Sequence, residues 1–281
     1  MEFVRRWIEE SPYSSALGIE VVSLEKAAAQ LRLPFQEKNS NPGKALHGGC
    51  AASLAVVGGQ AVSRAAMGAD SGPWHSCSLQ VNYLSAAIDE AVVARVSLLR
   101  RGKKLCFAEV SVETEEGKPI AHATTAVRGR FGADPAPALR SRGDDGLSDP
   151  GAMGPHVGKL PFMAARGIHV EHMTGGTSRL VMPFQSGDAD TEGGVHEGAV
   201  LALLDTTGAM ASWAKTGHGP YRASTPSLQA QILEPAPKDD LVAYGRNVQR
   251  DDELLWSDVE IAAAGDGRVV ARGTVIYRIV T

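Results

Sequence analysis

Aromatic residues make up only 5% of this chain of 281 residues, and cysteine occurs three times. A core short of Phe, Tyr and Trp has to be filled by small aliphatic side chains. The 31 glycines point the same way, to tight turns and close backbone approaches. Cys50, Cys77 and Cys106 form an odd set at scattered spacings, which argues against a disulfide framework or a metal site; buried free thiols in a reducing cytoplasm are expected. A basic excess is also lacking. With 28 Lys and Arg against 32 Asp and Glu the net charge is −4, so no electrostatic footprint for nucleic acid exists. No apolar run approaches the roughly 18 residues of a membrane span, and the charged opening MEFVRRWIEESPY has no apolar core of signal length. His169 and His172, three apart on an expected strand, point to opposite faces and read as surface histidines with no metal implied.

What the chain does have, it has twice. ALHGGCAASLAVVGG (45–59) and GVHEGAVLALLDTTG (194–208) each set a His before small residues and an apolar run, and His47 and His196 lie 149 positions apart. The same offset pairs Pro12 with Pro161, Gly18 with Gly167, Phe35 with Phe184, Ser78 with Ser227, Val110 with Val259 and Thr125 with Thr274. Matches that cluster at one register on glycine, proline and motif residues mark an internal duplication. The expected organisation is domain 1 over 1–130, a linker over 131–151 rich in Pro, Gly, Asp and Arg, and domain 2 over 152–281. Such a linker reaches between the ends of two domains packed face to face.

Each copy reads as a short helix, two strands, a loop, a long helix opening at the His, and three further strands. FAEVSVET puts Ala108, Val110 and Val112 on one face and Glu109, Ser111 and Glu113 on the other; WSDVEIAA repeats this with Ser257, Val259 and Ile261. That alternation describes a half-solvated antiparallel sheet, here of about five strands wrapped around one mostly apolar helix. Gly58 and Gly59 precede no phosphate-binding turn and read as close helix–sheet packing.

A loop–His–Gly–Gly helix inside a strand–strand–helix–strand–strand–strand unit resembles the hot-dog fold. Within it, Asn41-x5-His47-Gly48-Gly49 followed by an Asp resembles the PaaI-like acyl-CoA thioesterases, and the similarity runs through nearly all of both repeats. The resemblance implies an α+β architecture: two tandem hot-dog domains, each an antiparallel sheet around a long central helix, packed as a pseudo-dimer with active sites between the units. It implies an acyl-CoA substrate with no metal or redox cofactor, and a homodimer of double hot dogs.

Only the later copy carries an acid, Asp205, in its apolar run. Nine residues after His196 amount to roughly half a turn net and about 13 Å of helix, so Asp205 cannot serve the helix start it follows. It is expected to face the helix start of repeat 1. One composite site then joins Asn41, His47, Gly48 and Gly49 to Asp205 as general base or nucleophile. Unpaired amides at the helix start suit a developing oxyanion, and the resemblance adds Thr225 to orient water, with Ser224 and Ser227 as neighbouring alternatives. The mirror site carries Asp190 in place of Asn41, Glu197 in place of Gly48 and Val56 in place of Asp205, and keeps Ser76 and His196. A carboxylate beside an oxyanion repels it, so this second site reads as inactive in thioester hydrolysis. Gly49, Gln60, Ser76 and His196 are the expected substrate contacts, and RRGKK (100–104) is either a solvated turn or a contact for coenzyme A phosphates. Two rival functions stand beside hydrolysis, a catalytically silent acyl-CoA binding protein and an enoyl-CoA hydratase. The hydratase loop motif is matched poorly, because no Asp stands in the repeat 1 loop.

Overall fold

The computed structural model describes residues 1–130 and 137–281, and in it the two repeats build one continuous antiparallel sheet. Residues 131–136 of the expected linker lie outside the described residues. Repeat 1 opens with α1 (Glu2–Glu9) and α2 (Pro12–Leu17). Ser11 caps α2 by accepting the Ser14 amide, Pro12 takes its first position, and Gly18 closes it in the left-handed region at φ 85°. Strands β1 (Glu20–Leu24) and β2 (Ala28–Leu33) lead to the long α3 (Gly48–Met67). Four strands follow, β3 (Trp74–Tyr83), β4 (Val92–Arg101), β5 (Leu105–Thr114) and β6 (Pro119–Gly129).

Repeat 2 keeps the order with α4 (Gly154–Val157), α5 (Pro161–Ala164), β7 (His169–Thr174), β8 (Thr177–Met182) and α6 (Glu197–Thr216). It ends with β9 (Arg222–Ile232), β10 (Leu241–Asp251), β11 (Leu254–Ala263) and β12 (Val269–Val280). Among the described residues each half thus has six strands rather than about five. Connections as short as 102–104 and 115–118 interrupt the alternation too briefly for the strands to be counted from sequence.

The strand order is β1-β2-β4-β5-β6-β3-β9-β12-β11-β10-β8-β7. The repeats therefore meet edge to edge in the sheet, not face to face as expected. Antiparallel pairing of β3 with β9, from Ser78 opposite Gln231 to Asn82 opposite Ser227, satisfies backbone groups that two free edges would leave open. The helices complete the junction. From Gly49 to Ser63 and from Gly198 to Ser212 every residue is buried, so α3 and α6 are core on all sides. They approach on small residues: a Cβ on Gly49 would lie 2.4 Å from the Ala202 Cβ, and one on Gly59 would lie 2.1 Å from Thr125 Oγ1 on the sheet. Ala108, Val110, Val112, Val259 and Ile261 all point into this core, as their alternation requires.

Two local expectations fail. A β-bulge between Val170 and His172 turns the second His inward, where it is buried with Nε2 3.0 Å from Thr177 Oγ1, so of these two only His169 is a surface histidine. Cys77 is half-buried, unlike Cys50 and Cys106. Among the described residues no group of His, Cys, Asp or Glu is placed to hold a metal, and no helix is long and apolar enough to cross a membrane. The described part of the linker is strapped over the outer face of repeat 2. Leu139 accepts the Val269 amide and Asp144 meets Arg179 at 2.7 Å. A surface cavity of about 810 Å³ beside it shares no residue with the His–Gly regions.

Candidate active site

Both long helices begin with the same device. His47 stands just before α3 and its Nδ1 accepts the Gly49 amide at 3.0 Å; His196 Nδ1 accepts the Gly198 amide at 2.9 Å before α6. An imidazole that caps a helix in this way has to be unprotonated at Nδ1. Burial supplies the condition, pushing His47 down to about 3 and His196 down to about 4. Each ring is held by the other repeat. Phe162 stacks on His47 with centroids 3.9 Å apart, and its counterpart Tyr13 stacks on His196 at 4.8 Å. His47 is thus engaged as a cap, and the first amide of α3, Gly48 N–H, has no protein acceptor among the described residues. That amide also stands at the positive end of a 20-residue helix.

Asp205 comes to this amide from the other repeat. Its side chain leaves the middle of α6, and Oδ2 lies 2.7 Å from the point a Cβ on Gly48 would occupy. Only glycine leaves room for a carboxylate there. Thr225, near the start of β9, donates its hydroxyl to Asp205 Oδ1 at 2.9 Å. Asp205 is 4% exposed. Burial pushes its carboxyl up to about 6, against the opposing pull of the Thr225 hydrogen bond. A carboxylate that is ionised at neutral pH yet more basic than usual suits proton abstraction from water.

The mirror arrangement is filled with protein. Glu197, at the position of Gly48, sends its carboxylate to Ser76 N–H at 3.0 Å, to Gln60 Nε2 at 2.7 Å and toward His75 Nδ1 at 3.0 Å. Burial alone would raise this carboxyl, but the bonds from His75 and Ser76 outweigh it and hold Glu197 down at about 2. The ladder continues as Gln60 Oε1 accepts from Arg64 at 2.7 Å, and the guanidinium lies over the Trp7 and Trp74 rings at 3.8 and 4.6 Å. Gln60, expected among the substrate contacts, is committed here, as is Ser76, whose Oγ accepts from Gln60. The expected contacts at this second site are engaged with protein: Gln60 with Ser76, Glu197 and Arg64, and His196 with the Gly198 amide and the Tyr13 ring.

Gly48, Asp205 and Thr225 lie together, with His47 and Gly49 directly behind them. Asn41 sits half-buried at the head of the 42–44 turn, where its backbone amide donates to Ala45 O at 2.7 Å; its side chain has no hydrogen-bond partner among the described residues. The amide that braces the loop is Asn39, fully buried, with Nδ2 donating to Leu17 O at 2.8 Å. Asp190, in place of Asn41, spends its carboxylate on the Glu192 and Gly194 amides of its own loop. Sequence reasoning missed Tyr83, whose hydroxyl donates to Gly48 O at 3.2 Å, and the partner rings Tyr13 and Phe162. Comparing the repeats for changes of chemistry would have found Tyr83, because Ile232 stands in the matching place.

Comparison with known proteins agrees with this architecture. Residues 36–129 match the family model described as the acyl-CoA thioesterase N-terminal domain. A Halobacterium salinarum protein provisionally named esterase VNG_1336C is 31% identical over 131 residues, 45% of this chain and 86% of that protein. Among solved structures, the tesB protein MAP1729c of Mycobacterium avium subspecies paratuberculosis superposes with a TM-score of 0.70 at 11% identity, covering 95% of this chain and 98% of that one. The acyl-CoA thioesterase II TesB2 of Mycobacterium marinum does so at 0.65 and 12%, covering 97% and 98%. At such identities the structures speak for the fold alone, over 95–97% of this chain.

Proposed function

This chain belongs to the hot-dog thioesterase family, and from that premise we propose that it hydrolyses an acyl-CoA thioester where the two repeats meet at Gly48, Asp205 and Thr225. The observation that carries the reading is Asp205 of repeat 2 set 2.7 Å from the Cβ position of Gly48 in repeat 1. The thioester carbonyl oxygen docks at Gly48 N–H. Thr225 and Asp205 hold a water, and the Asp205 carboxylate takes its proton as the water oxygen bonds to the carbonyl carbon. The carbonyl electron pair moves onto oxygen, where the amide and the helix dipole meet the new charge. Collapse restores the carbonyl, breaks the C–S bond and expels coenzyme A thiolate, which takes the proton from Asp205. His47 caps the helix start and Asn39 braces the loop before it, and no metal or redox cofactor enters any step.

The second pseudo-site is inactive in this reading, because Glu197 places its own charge where the carbonyl oxygen would develop one. Residence in a reducing cytoplasm and pairing of two chains complete the proposal. Free thiols favour the first, and exposed apolar side chains such as Leu99 and Phe107 on the sheet favour the second. The test is thiol release from a panel of acyl-CoA esters of graded length and aromatic character. Release that Asp205→Asn abolishes supports hydrolysis. Binding without release across the panel points to a silent acyl-CoA binding protein, and loss of enoyl absorbance without thiol release points to a hydratase.

A further inference from the structure

The Gly48–Gly49 peptide unit is held at both ends. Its N–H, on Gly49, donates to His47 Nδ1 at 3.0 Å, and its C=O, on Gly48, accepts from the Tyr83 hydroxyl at 3.2 Å. Two successive glycines at a helix start have no Cβ to restrict them, so their backbone is the least constrained by sterics. Yet the free Gly48 N–H has to hold one direction for an oxyanion to meet it. Helix α6 begins differently. Its first residue is Glu197, Ile232 stands in the place of Tyr83, and the cap from His196 is present without a matching hydroxyl among the described residues. The second hold is therefore found at the helix start that faces Asp205 and missing at the one that does not.

Tyr83 is well placed for this task. It ends β3, which is paired on one side with β6 and on the other with β9 of the second repeat. Its Cε1 and Cζ pass 3.4 Å from the Cβ position of Gly48, on a glycine that Asp205 Oδ2 also approaches. Burial first, then the neighbouring Asp205 charge, push the phenol well above its ordinary range, so its hydroxyl stays a donor.

We propose that Tyr83 is a positioning residue, clamping the Gly48 carbonyl so that the Gly48 amide is aimed at the substrate carbonyl oxygen. This rests on the thioesterase reading given above. An amide that drifts loses its bond to the oxyanion more than its contact with the ground state, so the effect belongs in kcat rather than KM.

The experiment is steady-state thiol release by wild type, Asp205→Asn, Tyr83→Phe and Tyr83→Leu, with thermal melting of each. Tyr83→Phe keeps the ring and removes only the hydroxyl. The proposal expects its kcat to fall roughly tenfold, with KM within about twofold and the melting temperature nearly unchanged. Tyr83→Leu should lose at least as much kcat. Wild-type kcat in Tyr83→Phe overturns the clamp, whatever Tyr83→Leu does, and so does a raised KM at unchanged kcat, which would make the ring a substrate contact. If Asp205→Asn is inactive while Tyr83→Phe is normal, only the clamp fails. If wild type releases no thiol from any ester, the thioesterase reading fails and the clamp with it.

Discussion

Asp205→Asn should make the protein more stable at neutral pH while disabling it. The carboxyl is buried and held by one side-chain hydrogen bond, and its folded value of about 6 lies above the ordinary 3.8. A raised carboxyl means that the folded state binds the proton more tightly than the unfolded chain. Its favourable contribution is full below about pH 4 and is lost as pH climbs through about 6. A shift of about two units corresponds to about 3 kcal/mol above pH 7. Asparagine removes that titration and leaves an amide in nearly the same space. At pH 8 the variant should melt roughly 5 °C higher than wild type. The advantage should shrink below about 1 kcal/mol near pH 4. Asp188, raised to about 6 by burial against the pull of Arg166, titrates in the same window, so the quantity to compare is the difference between variant and wild type. Melting curves from pH 4 to 8 measure it. A variant no more stable than wild type at pH 8, or an advantage that persists undiminished at pH 4, would refute the claim that the active-site carboxylate is held at a cost in stability.

Four further outcomes follow from the same geometry. The rate of thiol release at low substrate should rise with pH to a plateau, with its acid limb near pH 6, because Asp205 must be ionised to accept a proton. Thr225→Val removes the hydrogen bond that favours the ionised form, so that limb should move to higher pH and the plateau should drop. Gly49→Ala would put a Cβ 2.4 Å from the Ala202 Cβ and 2.9 Å from its Cα, and chemical denaturation should register a loss of about 1–3 kcal/mol from overpacking. Glu197 is held down at about 2, so its contribution is present above the ordinary carboxyl range and is lost as pH falls toward 2; Glu197→Gln should flatten the acid side of the melting profile.

The duplication was legible because the fold constrains a few residues tightly. Glycines that touch a neighbouring helix or strand, such as Gly49 and Gly59, leave little room for a side chain, and glycine recurs at the same offset as Gly198 and Gly208. The site was half legible for a related reason: an acid in an apolar helix is costly unless used, and helix periodicity alone sends Asp205 away from its own helix start. What stayed hidden depends on contacts between chain segments far apart in sequence. Pairing of β3 with β9 makes an edge-to-edge sheet, and neither strand carries a local sign of its partner. The bulge that buries His172 is one extra residue in an otherwise ordinary strand. Burial makes His47 and His196 neutral caps, and that burial comes from Phe162 and Tyr13 of the opposite repeats. Glu197 was readable as a charge in the wrong place, but the Gln60, Ser76 and His75 partners that neutralise its cost were not.

The central claim is that one composite site works and the other does not, and side-by-side thiol-release rates of Asp205→Asn and Glu197→Gln test it most directly. The account predicts a loss of roughly 10²–10⁴-fold for Asp205→Asn and a rate close to wild type for Glu197→Gln. The reverse pattern, with activity lost at Glu197 and kept at Asp205, would contradict it.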